Sequence, residues 1–336
     1  MVIKLADIQL DPPVFLAPQA GITDLPFRNL VAGFGAGLVV SEMVASQEMV
    51  QARALAQARA ELGLEVARGA GVPAVATAVQ IAGREAYWMA ECARLCVDHG
   101  ARLIDINMGC PARKVTNGYS GSALMRDLDH ALRLIEAVVA AVPVPVSLKM
   151  RLGWDGATLN AAELGRRAAD AGVRMVTVHG RTRCQFYKGQ ADWRAIGAVK
   201  RSLDVPVIAN GDIVDAASAA AALKLSRADG GMIGRGAQGA PWRLAQVAAA
   251  LFGAPDVIVP EGAALADVVE SHYEAMLSFY GTRLGGKVAR KHLGWYMDGL
   301  ETPPDIRRAV LTASAPATVR RLIRSLCRNT VRARAA

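Results

Sequence analysis
At 336 residues the chain can bury a large core, in one big domain or in two. Hydrophobic residues make up 52% of it, yet no unbroken apolar run approaches the roughly 18 residues of a membrane-spanning helix, and the opening "MVIKLADIQLDPPVFLAP" lacks the regions of a secretory leader, so a cytoplasmic protein is expected. The net charge of +9 is segregated: residues 281–336 hold 12 Lys/Arg against 3 Asp/Glu, which excludes an evenly balanced surface and points to a polyanionic partner.

Eight short runs rich in Val, Ile, Leu and Ala lie at 14–17, 38–42, 74–80, 103–107, 145–149, 175–179, 206–210 and 230–234, each followed by a stretch with helical periodicity. Near-continuous apolar strands alternating with helices predict a parallel sheet buried on both faces. Eight such units in about 240 residues fit a closed (β/α)8 TIM barrel better than an open doubly wound sheet. From residue 263 onward the strand runs stop, and four segments punctuated by glycine or proline read as helices. The expected division is therefore a TIM barrel over 1–252, a linker over 253–262 and a small, basic, all-helical domain over 263–336. Lys287, Arg290 and Lys291 share one side of a helix there, and Arg320, Arg321, Arg324 and Arg328 flank the apolar stripe of the last one. Each helix can pack and still present cations outward.

Five cysteines in a long chain do not make a disulfide framework. Cys92 and Cys96 share a helical stripe with Trp88, Met89 and Leu95, and Cys327 lies on the Val319, Leu322, Ile323 and Leu326 face. These positions predict packing, and no metal site is expected. Cys110, set between Gly109 and Pro111 after an apolar run, belongs to no such stripe.

Barrel active sites lie at the C-terminal ends of the strands, and polar residues gather at those ends: Glu42, Gln80, Asn107, Lys149, His179 and Asn210 close the second to seventh runs. Glycines in "NGDI" (210–213) and "GRGAQG" (234–239) mark the seventh and eighth ends, where loop amides and a helix N-terminus commonly bind phosphate. Arg235 adds a charge-assisted donor. The spacing from Gly234 to Gly239 also fits G-x-G-x-x-G, but no strand with a ribose-binding acid follows about 20 residues later, so a mononucleotide phosphate fits better. Lys149 is open to two functional readings, a Schiff base or a fixed positive charge beside a cofactor.

Taken together and in order over residues 3–300, "LAPQAGITDLPFR", "SEMVAS", "DINMGCPARKV", "GSALM", "LKMRLGW", "VHGRTR", "VIANGDI", "MIGRGAQGAPW" and "VARKHLGWYM" resemble the tRNA-dihydrouridine synthases, in their bacterial B subgroup. The resemblance implies reduction of uridine to 5,6-dihydrouridine in the D-loop of tRNA by bound FMN, which NADPH reduces. It implies hydride transfer from flavin N5 to C6 of the base and protonation of C5 by Cys110. A free thiol, with its pKa of about 8.5, is mostly protonated near neutrality and suits that task.

By the same resemblance Pro18, Gln19 and Ala20 lie under the flavin ring, Gln80 hydrogen-bonds to it, and Lys149 sits near N1 and the C2 carbonyl. His179 contacts flavin or uracil, while Asn210, Gly211, Asp212, Gly234 and Arg235 hold the ribityl chain and phosphate. Asn107 and Arg151 are matched to the uracil edge. Lys287, Arg290 and Lys291 then fit the tRNA backbone, offsetting the few kcal/mol that unstacking a uridine costs. One departure is visible: Gln19, in "APQ", stands where the family usually carries Met. The appended basic helices argue against a flavin barrel acting on free small molecules, and no helix-turn-helix pattern supports a DNA-binding regulator. The expected partner is tRNA, with no DNA and no membrane, and a monomer is expected.

Overall fold
The computed structural model describes residues 2–51 and 76–334. Two three-residue strands, β1 (Ile3–Leu5) and β2 (Ile8–Leu10), pair antiparallel ahead of everything else. Then come β3 (Val14–Leu16), β4 (Leu38–Val40), the two-residue β5 (Val44–Ala45) and β6 (Ala76–Ala82). They are followed by β7 (Ile104–Met108), β8 (Val146–Arg151), β9 (Met175–His179), β10 (Val207–Asn210) and β11 (Gly230–Ile233). Pairing of β11 with β3 and of β4 with β6 closes an eight-stranded parallel barrel, with β5 paired alongside β6. All eight expected runs become barrel strands; the first two residues of the 74–80 run lie outside the described residues.

The strands alternate as a period of two requires. On β8, Leu148 and Met150 face the surrounding helices in the main core, while Ser147, Lys149 and Arg151 occupy the other phase. The same holds on β7, where Ile104, Ile106 and Met108 join that core and Asp105 and Asn107 do not. Several of the outer helices start from an aspartate: Asp24, Asp127, Asp192 and Asp215 each accept a hydrogen bond from a backbone N–H of the first turn. Such caps satisfy donors that the helix itself leaves unpaired.

The β1–β2 hairpin was not foreseen in the sequence. Its Ile3, Leu5, Ile8 and Leu10 form one apolar cluster with Phe15, Leu38, Ala78, Leu103, Met175, Ile208 and Met232, residues at or near the starts of the barrel strands. The hairpin thus floors the barrel at the end opposite the catalytic mouth of this fold.

Residues 253–261 carry no regular element, and the remaining chain is helical. A helix over Gly262–Gly299 is broken at Gly281, whose φ of 76° and ψ of 158° are not helical. Helices at Pro304–Thr312 and Pro316–Arg334 follow, giving the four expected segments. Their faces enclose a second core of Val269, Tyr273, Met276, Leu293, Tyr296 and Cys327. No helix among the described residues is long and apolar enough to cross a membrane.

This helical region sits against the barrel at four places. Phe27, on the helix Leu25–Phe34, places its ring 5.1 Å from that of His292 and 5.7 Å from that of His272. Tyr280 Oη donates to Asp24 Oδ2 at 3.1 Å, and Lys291 Nζ donates to the carbonyl of Gly21 at 2.5 Å. Gly239, at φ +69°, abuts the backbone of Trp295; a Cβ there would stand 2.4 Å from the Trp295 carbonyl oxygen, so only glycine fits.

Candidate active site
A cavity of about 680 Å³ opens at the C-terminal ends of the strands, within the roughly 300–1,000 Å³ usual for cofactor and ligand sites. Its lining brings together Pro18, Gln19, Ala20, Gln80, Asn107, Cys110, Lys149, Arg151, His179, Asn210, Gly211, Asp212, Gly234 and Arg235. These are the residues expected at the barrel site, apart from Glu42, which does not line the cavity and accepts a hydrogen bond from the Gly21 N–H at 2.6 Å. Lys287, Arg290 and Lys291 are not part of this lining; they are exposed on the helix that follows Gly281. Lys291 differs from the other two, because it is tied to the Gly21 carbonyl at the rim.

The upper interior of the barrel is charged and largely buried. Lys149 is 9% exposed and its Nζ donates to Asn210 Oδ1 at 3.0 Å. Burial, and next the nearby Arg151 charge, bring its pKa down to about 8, because removing water penalises the charged form. Asn210 Nδ2 in turn donates to the Met232 carbonyl at 2.8 Å, which fixes the amide oxygen toward the lysine. His179 is driven lower still, to about 2, first by burial and then by Lys149, Arg151, Arg181 and Arg235. It is therefore a neutral imidazole across the physiological range. Gly211, at φ +109°, follows β10 beside that ring, and a Cβ on it would come within 2.8 Å of His179 Cδ2.

Arg151 and Arg181 are the framework of the mouth. Arg151, 1% exposed, donates Nε to the Gly109 carbonyl at 2.8 Å and Nη1 to the carbonyls of Thr182 and Phe186, both at 2.9 Å. It thereby joins the Cys110 loop to the loop after β9. Arg181 holds Asp212 through two hydrogen bonds of 2.8 and 2.6 Å, and Ala191 N–H also donates to that carboxylate. Arg235 lies 3.5 Å from the same group. Two guanidinium groups against one carboxylate leave this end of the cavity net positive, as an anion site requires.

Cys110 sits half-buried on the loop that leaves β7. Asn107 Oδ1 accepts from the backbone N–H groups of Gly109 and Cys110 at 3.2 and 3.0 Å, and the Cys110 carbonyl accepts from both Ser122 N–H and Ser122 Oγ. The thiol is therefore carried on a loop fixed at both ends. Cys92 and Cys96 are fully buried, Cys327 is 1% exposed, and no cluster of potential metal ligands is found among the described residues.

The signature of the family described as dihydrouridine synthase matches residues 15–331. This chain belongs to that family. It is 62% identical over 325 residues to a probable tRNA-dihydrouridine synthase of Rhodobacter capsulatus, covering 97% of this chain and 98% of the relative. It is 45% identical over 313 residues to tRNA-dihydrouridine synthase B of Xanthomonas axonopodis pv. citri, covering 93% and 92%. Among solved structures, morphinone reductase in complex with tetrahydroNAD shares the fold at a TM-score of 0.53 and 14% identity, over 76% of this chain and 92% of that one. Histamine dehydrogenase from a Rhizobium species does so at a TM-score of 0.58 and 11% identity, over 81% and 50%. The barrel and the family membership expected from the sequence are thus established.

Other parts of the site escaped the sequence reading. Met43, Phe186, Tyr187 and Gln238 also line the cavity. Phe186 and Tyr187 belong to a long loop after β9 that returns over the mouth, where Arg151 and Arg235 lie over the Tyr187 ring at 5.7 and 5.2 Å. A basic loop with adjacent aromatics was visible there, but its reach was not.

Proposed function
We propose that the protein reduces uridine to 5,6-dihydrouridine in the D-loop of tRNA, with bound FMN and with NADPH as reductant. The observation that carries this reading is one cavity in which Cys110 lines the same space as Lys149, His179 and the glycine-rich ends of β10 and β11. The residues present fit a flavin mononucleotide. Gln19 Oε1 is buried at the cavity wall without a protein partner, which suits a ligand donor, and the Arg181, Asp212 and Arg235 group suits a phosphate. Lys149 provides a positive charge where a reduced flavin gathers negative charge. In this reading Pro18, Gln19 and Ala20 support the ring, Gln80 bonds to it, and Asn210, Gly211 and Gly234 hold the ribityl chain and phosphate with Arg235.

FMN reduced by NADPH would supply the hydride that C6 of the uracil accepts. Cys110 releases its thiol proton to C5, so the ring gains one hydride and one proton. Asn107 and the remaining Nη2 of Arg151 orient the uracil edge, and neutral His179 contributes a hydrogen bond without adding charge. Lys287 and Arg290 attract the tRNA backbone, and Lys291 braces the rim. We propose the division into a catalytic barrel over 1–252, a linker over 253–262 and a tRNA-binding domain over 263–336, acting as a cytoplasmic monomer.

The deciding experiment is an absorption spectrum of the purified protein, followed by NADPH and then unmodified tRNA without oxygen. A flavin spectrum that bleaches with NADPH and returns with tRNA, but not with free uracil or orotate, supports the proposal. A colourless protein that added flavin does not restore would overturn it and would leave Lys149, with its lowered pKa, as a candidate Schiff base.

A further inference from the structure
Beneath the cavity floor lies a carboxylate with no role in the reading above. Asp105 on β7 is 4% exposed, and its register partners are Gln80 on β6 and Ser147 on β8. Its Oδ2 accepts from Gln80 Nε2 at 2.6 Å and its Oδ1 from Ser147 Oγ at 2.7 Å. Gln80 Oε1 then accepts from Asn107 Nδ2 at 2.7 Å, and Asn107 Oδ1 accepts from the backbone of Gly109 and Cys110. Gln80 and Asn107 are 1% and 7% exposed, so both amides are largely shielded from bulk water.

The order of these bonds is not arbitrary. An ionised carboxylate can only accept, whereas an amide presents either a carbonyl or an NH₂ according to how it is turned; burial raises the pKa of Asp105, and its hydrogen bonds from Gln80 and Ser147 and the Lys149 charge oppose that rise. With a carboxylate at the head of the chain, Gln80 must point its nitrogen at Asp105 and its oxygen at Asn107. Asn107 must then point its nitrogen at Gln80 and its oxygen at the N–H groups beneath Cys110. In the opposite sense Asn107 would set its NH₂ against two backbone donors. Each amide nitrogen has a second hydrogen beyond this relay, available to a ligand in the cavity that both residues line.

We propose that Asp105 is a positioning residue that sets the direction of this relay, holding the Cys110 loop through Asn107 and turning N–H groups of Gln80 and Asn107 toward the carbonyl oxygens of bound rings. The part that concerns uridine reduction rests on the function proposed above; the part that concerns the loop does not.

The test compares wild type, Asp105→Asn and the double variant Asp105→Asn with Gln80→Glu. Asp105→Asn keeps the shape but no longer forces the direction. The double variant returns a carboxylate to the relay one position along, where it again obliges Asn107 to point its nitrogen inward. The first readout is the rate at which iodoacetamide alkylates Cys110 in the purified protein, with exposed Cys184 as internal reference, followed by peptide mass spectrometry. Asp105→Asn should speed Cys110 alkylation about tenfold, the ratio one charge-assisted hydrogen bond represents, with Cys184 unchanged, and the double variant should return it to the wild-type rate. The second readout is uridine reduction, expected to fall about as far in Asp105→Asn.

Unchanged Cys110 alkylation in Asp105→Asn, or no recovery in the double variant, would overturn the proposal. So would failure of both variants to fold, which would assign Asp105 to the core alone. If wild type reduces no tRNA, the function proposed above fails, and the alkylation comparison still judges the relay.

Discussion
The barrel mouth and the C-terminal helices both carry cations, but they place them in opposite surroundings. At the mouth Lys149, Arg151 and Arg181 are buried, and each is held to named protein oxygens. On the helices Lys287 and Arg290 are exposed, and Arg320 reaches Glu274 in a pair that is about half exposed on each side, at 45% and 52%. Coulomb interactions are strong and little screened where water is excluded, and weak and screened by salt where it is not. The first setting suits steps that depend on the position of a charge to a fraction of an ångström. The second suits gathering a large polyanion from solution.

Variants can break this contrast at four levels. Cys110→Ala should lower uridine reduction at least about 100-fold, the lower end of what a positioned general acid contributes, while the bound flavin is still reduced by NADPH; single-turnover spectra with tRNA measure both. Lys149→Met should weaken flavin binding but stabilise the flavin-free fold. The fall in the lysine pKa from 10.5 to about 8 corresponds to about 3 kcal/mol, and the lost Asn210 hydrogen bond returns about 1 kcal/mol of that.

The sign follows from which state gives up its proton first. Below pH 8 the lysine is protonated in both states, and the cost of burying its charge is fully present. Between about 8 and 10.5 the folded state releases its proton first, so wild-type stability rises with pH and the advantage of methionine fades. Urea unfolding at pH 7 and pH 10 would show it.

The helical surface should respond more gently. Lys287→Ala with Arg290→Ala should weaken tRNA binding about tenfold and flatten its salt dependence by about 0.7–0.9 per lost phosphate contact, leaving flavin binding unchanged. A steep, unaltered salt slope would remove these residues from the RNA surface. Arg320→Ala, which breaks an exposed ion pair, should leave the unfolding midpoint where it was. If it does not, the two regions are less different than their burial suggests.

Cys110 was legible in the sequence because it broke a pattern: it follows an apolar run yet shares no stripe. The polar strand ends were legible because a barrel sends its C-terminal ends to one mouth. Asp105 was not, although a signal existed. It precedes Asn107 by two residues, as Ser147 precedes Lys149 and Thr177 precedes His179, so a period of two extended backward would have found a second polar layer. The β1–β2 strands are too short to show any period. Tyr187 and Lys291 depend on where distant segments meet, and Lys291, counted among the outward cations, spends its charge on the carbonyl of Gly21.

The hairpin under the barrel has a kinetic meaning as well as a structural one. With Leu5 and Leu10 buried beneath Phe15 and Met232, the hairpin covers the lower end, and the cavity lies at the other end, lined by Cys110 and Tyr187. Such a cul-de-sac makes reactants take turns. In the proposed reaction the nucleotide that reduces the flavin would have to depart before a uridine could descend, and initial-rate plots against one reactant at several levels of the other should run parallel rather than converge.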